Sequence, residues 1–291
     1  MSLSELRPAV GEPMPFKGRD GTALSARIAG AADAPPIVLI HGMSLSSLVF
    51  ANQLCGSLAE AFRLIAPDLR GHGMSEVGPS LDAFADPAVW AGDLSAAIDA
   101  FASAPPLLVG WSFGGRVACA YLEGGGTAAG VVFVDAITMD LLPDGDRPHG
   151  PAASVLKDMA HPDDAIAGPA TVAFVDQMTA TPLSTGMRDM LLVSAAAVTR
   201  PVRKALRGLK SDHSELLKTL DFPVLAMHGE DDPLIVPAAS EATAAAALSS
   251  TVEILPGVGH APFLEDPAGF DARIFSLAHE LWPSIVQSPS G

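Results

Sequence analysis

The sequence predicts an α/β protein: a mostly parallel sheet flanked by helices, with a helical segment inserted between two strands. Short apolar runs alternate with amphipathic stretches along most of the chain, which is the pattern of a parallel sheet covered by helices. This rhythm breaks from about 137 to 219, where no convincing strand is visible. It resumes at 224–229, and the chain closes with a predicted helix from about Pro267 to Leu281.

The N-terminal elements can be assigned in order. Residues 14–30 predict an antiparallel hairpin, because Asp20 and Gly21 form a typical two-residue turn. Buried strands are predicted at 37–40 and 64–66. A helix from 87 to 102 follows, with Asp86 as its N-cap and a proline at its first position.

The later strands complete the sheet. Apolar runs predict them at 107–109, 131–134, 224–229 and 252–255. The chain is therefore divided into a core of 11–136 and 220–286 and a helical cap of 137–219, placed over one edge of the sheet. We call residues 137–219 the cap segment throughout.

Ser112 is the most informative residue of the core. It lies in the pattern Gly-x-Ser-x-Gly between Gly110 and Gly114, directly after an apolar run and before the predicted helix 113–122. This is the pattern of a nucleophile elbow, a tight strand-to-helix turn that exposes a serine hydroxyl at the end of a sheet. The glycines are needed because the turn brings backbone segments close together.

A serine needs a base and an orienting acid to become a nucleophile near neutral pH. His260 follows the strand 252–255, and Asp232 follows the strand 224–229, so both lie at the same sheet edge as Ser112. The predicted order of serine, acid and histidine is that of a strand-edge triad. Asp135, after the strand 131–134, is the alternative acid.

Two backbone N–H groups complete the predicted site. The strand 37–40 runs into His41, Gly42 and Met43, and a loop here can aim the N–H of Met43 at the point reached by that of Phe113. Two convergent donors form an oxyanion hole. His41 is expected to support this turn through hydrogen bonds rather than to take part in the reaction.

Five motifs in this order give the chain a specific resemblance. They are the turn at 41–43, the segment 68–75, the elbow around Ser112, and the segments 229–233 and 259–262. Over about 11 to 282 the chain resembles serine hydrolases of the α/β-hydrolase superfamily, and within it the esterase and cofactor-free haloperoxidase or perhydrolase branch. Haloalkane dehalogenases and epoxide hydrolases carry an acid where this chain has Ser112, which argues against both.

The resemblance implies hydrolysis of a small to medium apolar carboxylic ester through an acyl-enzyme, with no cofactor and no metal. Three enzymatic alternatives stay open: perhydrolysis, hydrolysis of a C–C bond in a ring-cleavage product, and a cofactor-free dioxygenase reaction. A ligand-binding module without activity is a fourth. The cap segment is expected to select the substrate, with its methionines and Phe174 as candidate pocket residues.

Composition limits the partners. The net charge of −16, from 17 basic and 33 acidic residues, opposes binding to nucleic acids and anionic membranes. A small molecule is therefore the expected partner, and self-association is left open. Cys55 and Cys119 both fall in predicted helices and are expected in the core. Because no signal peptide or membrane-spanning run is visible, we expect the cytoplasm.

Overall fold

The computed structural model describes residue 10, residues 13–209 and residues 212–283. It confirms the predicted α/β class. The ends of the predicted core, 11–12 and 284–286, lie outside the described residues.

Eight strands form one sheet in the order β1-β2-β4-β3-β5-β6-β7-β8. β1 pairs with β2, and β2 with β4, in antiparallel fashion, whereas all the other neighbouring pairs are parallel. The strands are β1 Pro13–Lys17, β2 Ala23–Ala29, β3 Pro36–Ile40, β4 Arg63–Asp68, β5 Leu107–Trp111, β6 Gly130–Val134, β7 Val224–Gly229 and β8 Ser250–Leu255.

Twelve α-helices are present among the described residues, with short 3₁₀ helices at Ser47–Phe50 and Leu81–Ala85. The α-helices are α1 Ala51–Leu54, α2 Ser57–Ala61, α3 Pro87–Phe101, α4 Phe113–Glu123, α5 Val155–Asp158, α6 Asp164–Asp176, α7 Thr185–Ala197, α8 Arg200–Leu206, α9 Ser214–Leu217, α10 Ala238–Ala246, α11 Pro262–Glu265 and α12 Pro267–Leu281.

The central strands were easy to predict from their apolar sequences because they are fully buried. Every residue of β3, β5, β6 and β7 is buried, because helices cover both faces of the parallel part of the sheet. The predicted hairpin is confirmed as β1 and β2. The predicted cap of α3 is confirmed as well, since the Asp86 carboxylate accepts a hydrogen bond from the Ala88 N–H at 2.9 Å.

The cap segment connects β6 to β7 through helices α5 to α9. The guanidinium of Arg203 in α8 joins three of its parts, donating to the carbonyls of Met159 (2.8 Å) and Ala195 (2.5 Å) and to the Thr171 hydroxyl (3.1 Å). That the cap segment forms a separate domain remains a prediction.

One prediction about the core is wrong. Cys119 is buried in α4 as expected, but Cys55 is exposed at the C-terminal end of α1, because that helix is only four residues long. Within the described ranges, none of the helices combines the length and the apolar character needed to cross a membrane.

Candidate active site

Ser112 sits on a sharp turn between β5 and α4. Its backbone has φ 53° and ψ −118°, and its N–H donates to the carbonyl of Val134 at 2.9 Å. A residue other than glycine rarely adopts a positive φ. Such a backbone conformation persists only where the surrounding structure enforces it. This geometry is that of a nucleophile elbow.

Close backbone packing explains the glycines of the elbow. A Cβ at Gly110 would lie 2.8 Å from the Cα of Gly115, and a Cβ at Gly114 would collide with the backbone carbonyl of Ile40. A Cβ at Gly42 would lie 3.1 Å from the Cβ of Ser112, so the turn after β3 packs directly against the serine.

The structure brings His260 and Asp232 together. The Nδ1 of His260 lies 2.7 Å from the Oδ2 of Asp232, and both side chains are buried. The other carboxylate oxygen of Asp232 accepts from the N–H groups of Leu234 (2.8 Å) and Ile235 (3.2 Å). These bonds fix the carboxylate, which in turn fixes the orientation of the imidazole.

Ser112 and His260 line the same cavity, which has a volume of about 640 Å³. Within the described part of the chain, no hydrogen bond joins the Ser112 hydroxyl to His260. Hydrogen bonds of this kind are often long in ligand-free enzymes and shorten when substrate binds. The arrangement therefore leaves both groups available to a molecule in the cavity.

Asp232 and Asp135, the two candidate acids, differ in ionisation. Burial raises the pKa of Asp232, but the neighbouring charge of His260 and a hydrogen bond from His228 outweigh it, so its pKa lies below the ordinary value. Burial and the adjacent Asp232 carboxylate raise the pKa of Asp135 well above its ordinary value. Asp232 is thus the more readily ionised of the two carboxyl groups.

Asp135 has a different set of contacts from Asp232. Its Oδ1 accepts from the Gly229 N–H at 2.8 Å and lies 3.6 Å from the Nε2 of His228. Asp135 directly follows the last residue of β6, and its backbone φ is 45°. The position matches the alternative acid, but the carboxylate that contacts His260 belongs to Asp232.

Asp135, His228 and Asp232 also place three possible metal donors within 4.8 Å of one another. His228 and Asp232 already use their donor atoms, however, although the Oδ2 of Asp135 is buried without a hydrogen-bond partner. The Nδ1 of His228 pairs with the Ser240 hydroxyl at 2.8 Å and its Nε2 with the Ile235 carbonyl at 3.1 Å, while Asp232 holds His260. The cluster fits a hydrogen-bonded support for the acid better than a metal site.

The predicted oxyanion donors lie in the turn after β3 and at the first residue of α4. Met43 and Phe113 both line the cavity. Among the described residues, neither backbone N–H has a hydrogen-bond partner. Both N–H groups are therefore available as hydrogen-bond donors.

Two neutral histidines support this turn. His41 contacts the Gly42 carbonyl through Nδ1 (2.8 Å) and accepts from the Leu69 N–H through Nε2 (3.0 Å). His72 accepts from the Ser44 N–H at 3.1 Å. Burial lowers the pKa of His41 to about 4, and burial together with the adjacent His41 imidazole lowers the pKa of His72 to about 3. Neither ring borders the cavity, as expected for structural histidines.

Glu265 links the cap segment to the loop of His260. Its carboxylate accepts from the Gly259 N–H at 2.7 Å through one oxygen. The other oxygen accepts from the N–H groups of Ala180 (2.8 Å) and Thr181 (3.1 Å). One side chain thus holds the residue before His260 and the segment between α6 and α7.

Several pocket residues were not predicted. His149, Arg116 and Arg147 line the cavity, and His149 is exposed there. Only Arg116 carried a usable signal, since it lies one turn after Ser112 on α4. Of the candidate pocket residues in the cap segment, Phe174 lines the cavity, whereas none of the described methionines of that segment does; Met178 is fully buried elsewhere.

Comparison with known proteins adds the family. A profile described as the alpha/beta hydrolase family matches residues 37–273. The chain belongs to this family. Among solved structures, an esterase, RhEst1, of Rhodococcus sp. ECU1013 is similar, with 34% identity over 92% of this chain and 99% of that chain and a TM-score of 0.85.

Two curated relatives of this α/β hydrolase are also similar. A pimeloyl-[acyl-carrier protein] methyl ester esterase of Stenotrophomonas maltophilia is 32% identical over 79% of this chain and 87% of its own length. A bifunctional esterase/perhydrolase of Acinetobacter calcoaceticus is 27% identical over 75% and 81%. The protein is an enzyme of the serine-hydrolase type, and its relatives support ester hydrolysis.

Proposed function

We propose that the protein hydrolyses a small to medium carboxylic ester through Ser112, His260 and Asp232. The observation that carries the proposal is the convergence of the Ser112 elbow and the His260–Asp232 pair on one cavity. An ester is favoured over the other acyl substrates because relatives of the chain are esterases.

Each group has a defined role in this reaction. His260 removes the proton of Ser112 as its oxygen attacks the ester carbonyl, and Asp232 stabilises the imidazolium that forms. The N–H groups of Met43 and Phe113 stabilise the oxyanion. His260 then protonates the leaving alcohol, and a water molecule activated by the same imidazole releases the acid from Ser112.

The cavity sets the size of the substrate. Its volume of about 640 Å³ lies within the range of small-molecule pockets. Apolar side chains form a large part of its wall, so the hydrocarbon part of the ester can pack there. The contributors include Trp111, Ile137, Phe174, Leu206, Leu209, Leu234 and Ile235.

Fluorophosphonate labelling and a Ser112→Ala variant test the proposal. The native protein should be labelled at Ser112 and should hydrolyse p-nitrophenyl acetate. Ser112→Ala should lose labelling and roughly a million-fold in turnover while keeping its circular dichroism spectrum. Retention of most of the activity by a folded Ser112→Ala variant would refute the assignment of the nucleophile.

Perhydrolysis is the second candidate, favoured by the esterase/perhydrolase relative. Here hydrogen peroxide replaces water as the attacking molecule, and the acyl group leaves Ser112 as a peracid. Incubation with acetate and hydrogen peroxide, followed by detection of peracetic acid, distinguishes the two. Peracid formation that needs Ser112 supports this activity, and none above the Ser112→Ala background excludes it.

A further inference from the structure

The charge of the cavity is opposite to that of the protein. The chain has 17 basic and 33 acidic residues, yet four basic side chains and one acidic side chain line the cavity. The basic ones are Arg116, Arg147, Lys157 and Arg207, and the acidic one is Asp140. A cationic cavity in an acidic protein focuses a positive potential on whatever enters it.

Arg116 differs from the other three basic residues because its guanidinium already has hydrogen-bond and ion-pair partners. Its guanidinium donates to the Leu209 carbonyl at 2.7 Å and to the Asp140 carboxylate at 3.0 Å. Burial lowers its pKa, and the charge of Asp140 opposes that effect. The negative charge of Asp140 therefore neutralises the positive charge of Arg116. Among the described residues, no second acidic side chain lines the cavity to pair with the other three basic side chains.

Arg147, Lys157 and Arg207 are exposed at the wall of the cavity. None of their side chains has a hydrogen bond or an ion pair with any residue in the described ranges. Elsewhere in the cap segment, Arg188 and Arg200 form ion pairs with Asp176 and Asp164. The three cations of the cavity are thus free to contact a ligand.

His149 shows that the arginines act on a common region. It lines the same cavity. Burial lowers its pKa, and the charges of Arg116, Arg147 and Arg207 lower it further. Since these arginines come from α4, from the loop before α5 and from the end of α8, three separate parts of the chain bring positive charge to one place.

We propose that the ester substrate carries a carboxylate, which Arg147, Arg207 and Lys157 bind while Ser112 attacks the ester carbonyl. This inference rests on the proposed ester hydrolysis and names its substrate class. The carboxylate takes no part in bond breaking: water adds across the ester bond, giving an acid and an alcohol, and the charged group only holds the substrate in position.

Matched pairs of esters test the inference. Monomethyl adipate and methyl hexanoate differ only by a carboxylate in place of the terminal methyl group of the acyl chain. Likewise, 3-acetoxybenzoate and 3-methylphenyl acetate differ only on the alcohol side. In at least one pair, kcat/KM should be about tenfold or more higher for the charged ester, as expected for a charged hydrogen bond. The pair that responds identifies the side that carries the charge.

Arg147→Gln combined with Arg207→Gln should reduce this charged-to-neutral ratio by about tenfold. Lys204→Gln is the matched control: it removes one charge from α8, the helix that precedes Arg207, at a position outside the cavity wall, and should leave the ratio unchanged. Raising NaCl from 0.05 to 0.5 M should reduce kcat/KM for the charged ester more than for the neutral one. Ratios near one in both pairs, or a ratio that the double variant does not change, would overturn the inference.

Calorimetric titration of Ser112→Ala with adipate separates this inference from the proposed function. The titration needs no turnover. Adipate should bind, and the added Arg147→Gln and Arg207→Gln changes should weaken it by about tenfold. If no ester is hydrolysed and Ser112 is not labelled, the proposed function fails, and the titration alone decides the carboxylate site. Absence of adipate binding overturns that site even when neutral esters are hydrolysed.

Discussion

The indole N–H of Trp111 donates a 2.6 Å hydrogen bond to the backbone carbonyl of His260. The two rings also pack together, with centroids 5.3 Å apart. Trp111 is the last residue of β5 and directly precedes Ser112. The proposed base is therefore positioned by the residue next to the proposed nucleophile, as well as by Asp232.

Trp111→Phe should weaken both stability and turnover. The change leaves the His260 carbonyl buried without a donor, which costs about 1–3 kcal/mol of unfolding free energy, and it releases the loop of the proposed base. Urea unfolding and kcat for p-nitrophenyl acetate measure the two effects. Trp90→Phe is the matched control, since Trp90 is equally buried and donates to the Phe84 carbonyl at 3.0 Å. Equal losses of kcat in both variants would argue against positioning by Trp111.

Asp232→Asn and Asp135→Asn should have very different effects. The first removes the charge that stabilises the imidazolium and favours the wrong tautomer of His260, so kcat should fall roughly ten-thousand-fold. The second replaces a carboxyl that does not contact His260 with an amide of similar shape, so most of the activity should remain. Steady-state kinetics of both purified variants measures the two effects. A large loss of kcat in Asp135→Asn with little loss in Asp232→Asn would assign the role of the orienting acid to Asp135.

Stability should fall as the pH is lowered from about 6.5 to about 4, partly because of His41 and His72. Both stay neutral in the folded protein, with pKa values lowered to about 4 and about 3 by burial. The unfolded chain takes up these protons below the ordinary pKa of 6.5, so protonation favours unfolding in this window. Between pH 6.5 and 5, one such histidine accounts for about 2 kcal/mol.

His72→Gln tests this contribution, because glutamine does not titrate. The variant should be less stable at pH 6.5, but its further loss of unfolding free energy down to pH 5 should be smaller than that of the native protein. Urea unfolding at both pH values provides the measurement. Parallel losses in the two proteins would mean that His72 is not neutral in the folded state.

Phe174→Ala should shift the preference of the enzyme toward longer acyl chains. Phe174 lies on α6 and lines the cavity, so its removal enlarges the apolar wall. One methylene in such a pocket is worth about 1–3 kcal/mol, so the shift should be modest. Met178→Ala is the control: Met178 is fully buried but outside the cavity wall, and its loss should lower stability only. The measurement is kcat/KM as a function of acyl length for the native protein and both variants. An unchanged profile in Phe174→Ala would mean that other residues select the acyl chain.

Local backbone requirements explain which parts of the site were predictable. Ser112 was predictable because the elbow needs glycines on both sides, and His260 and Asp232 because each follows a strand that ends at the same edge. The cation-lined part of the cavity was not. Arg147 and His149 lie in an irregular loop after β6, where no periodicity indicates a direction. Their convergence with Arg207 depends on tertiary packing of the cap segment, which a linear pattern does not record.

The Glu265 carboxylate has a consequence for how the enzyme rejects molecules that are too large. Because it binds Ala180 and Thr181 as well as Gly259, an outward movement of the segment between α6 and α7 pulls on the residue that precedes His260. A bulky ester that forces this segment outward would therefore disturb the alignment of the base. Discrimination by size should then appear in the speed of the chemical step, with oversized esters held in the cavity but cleaved slowly.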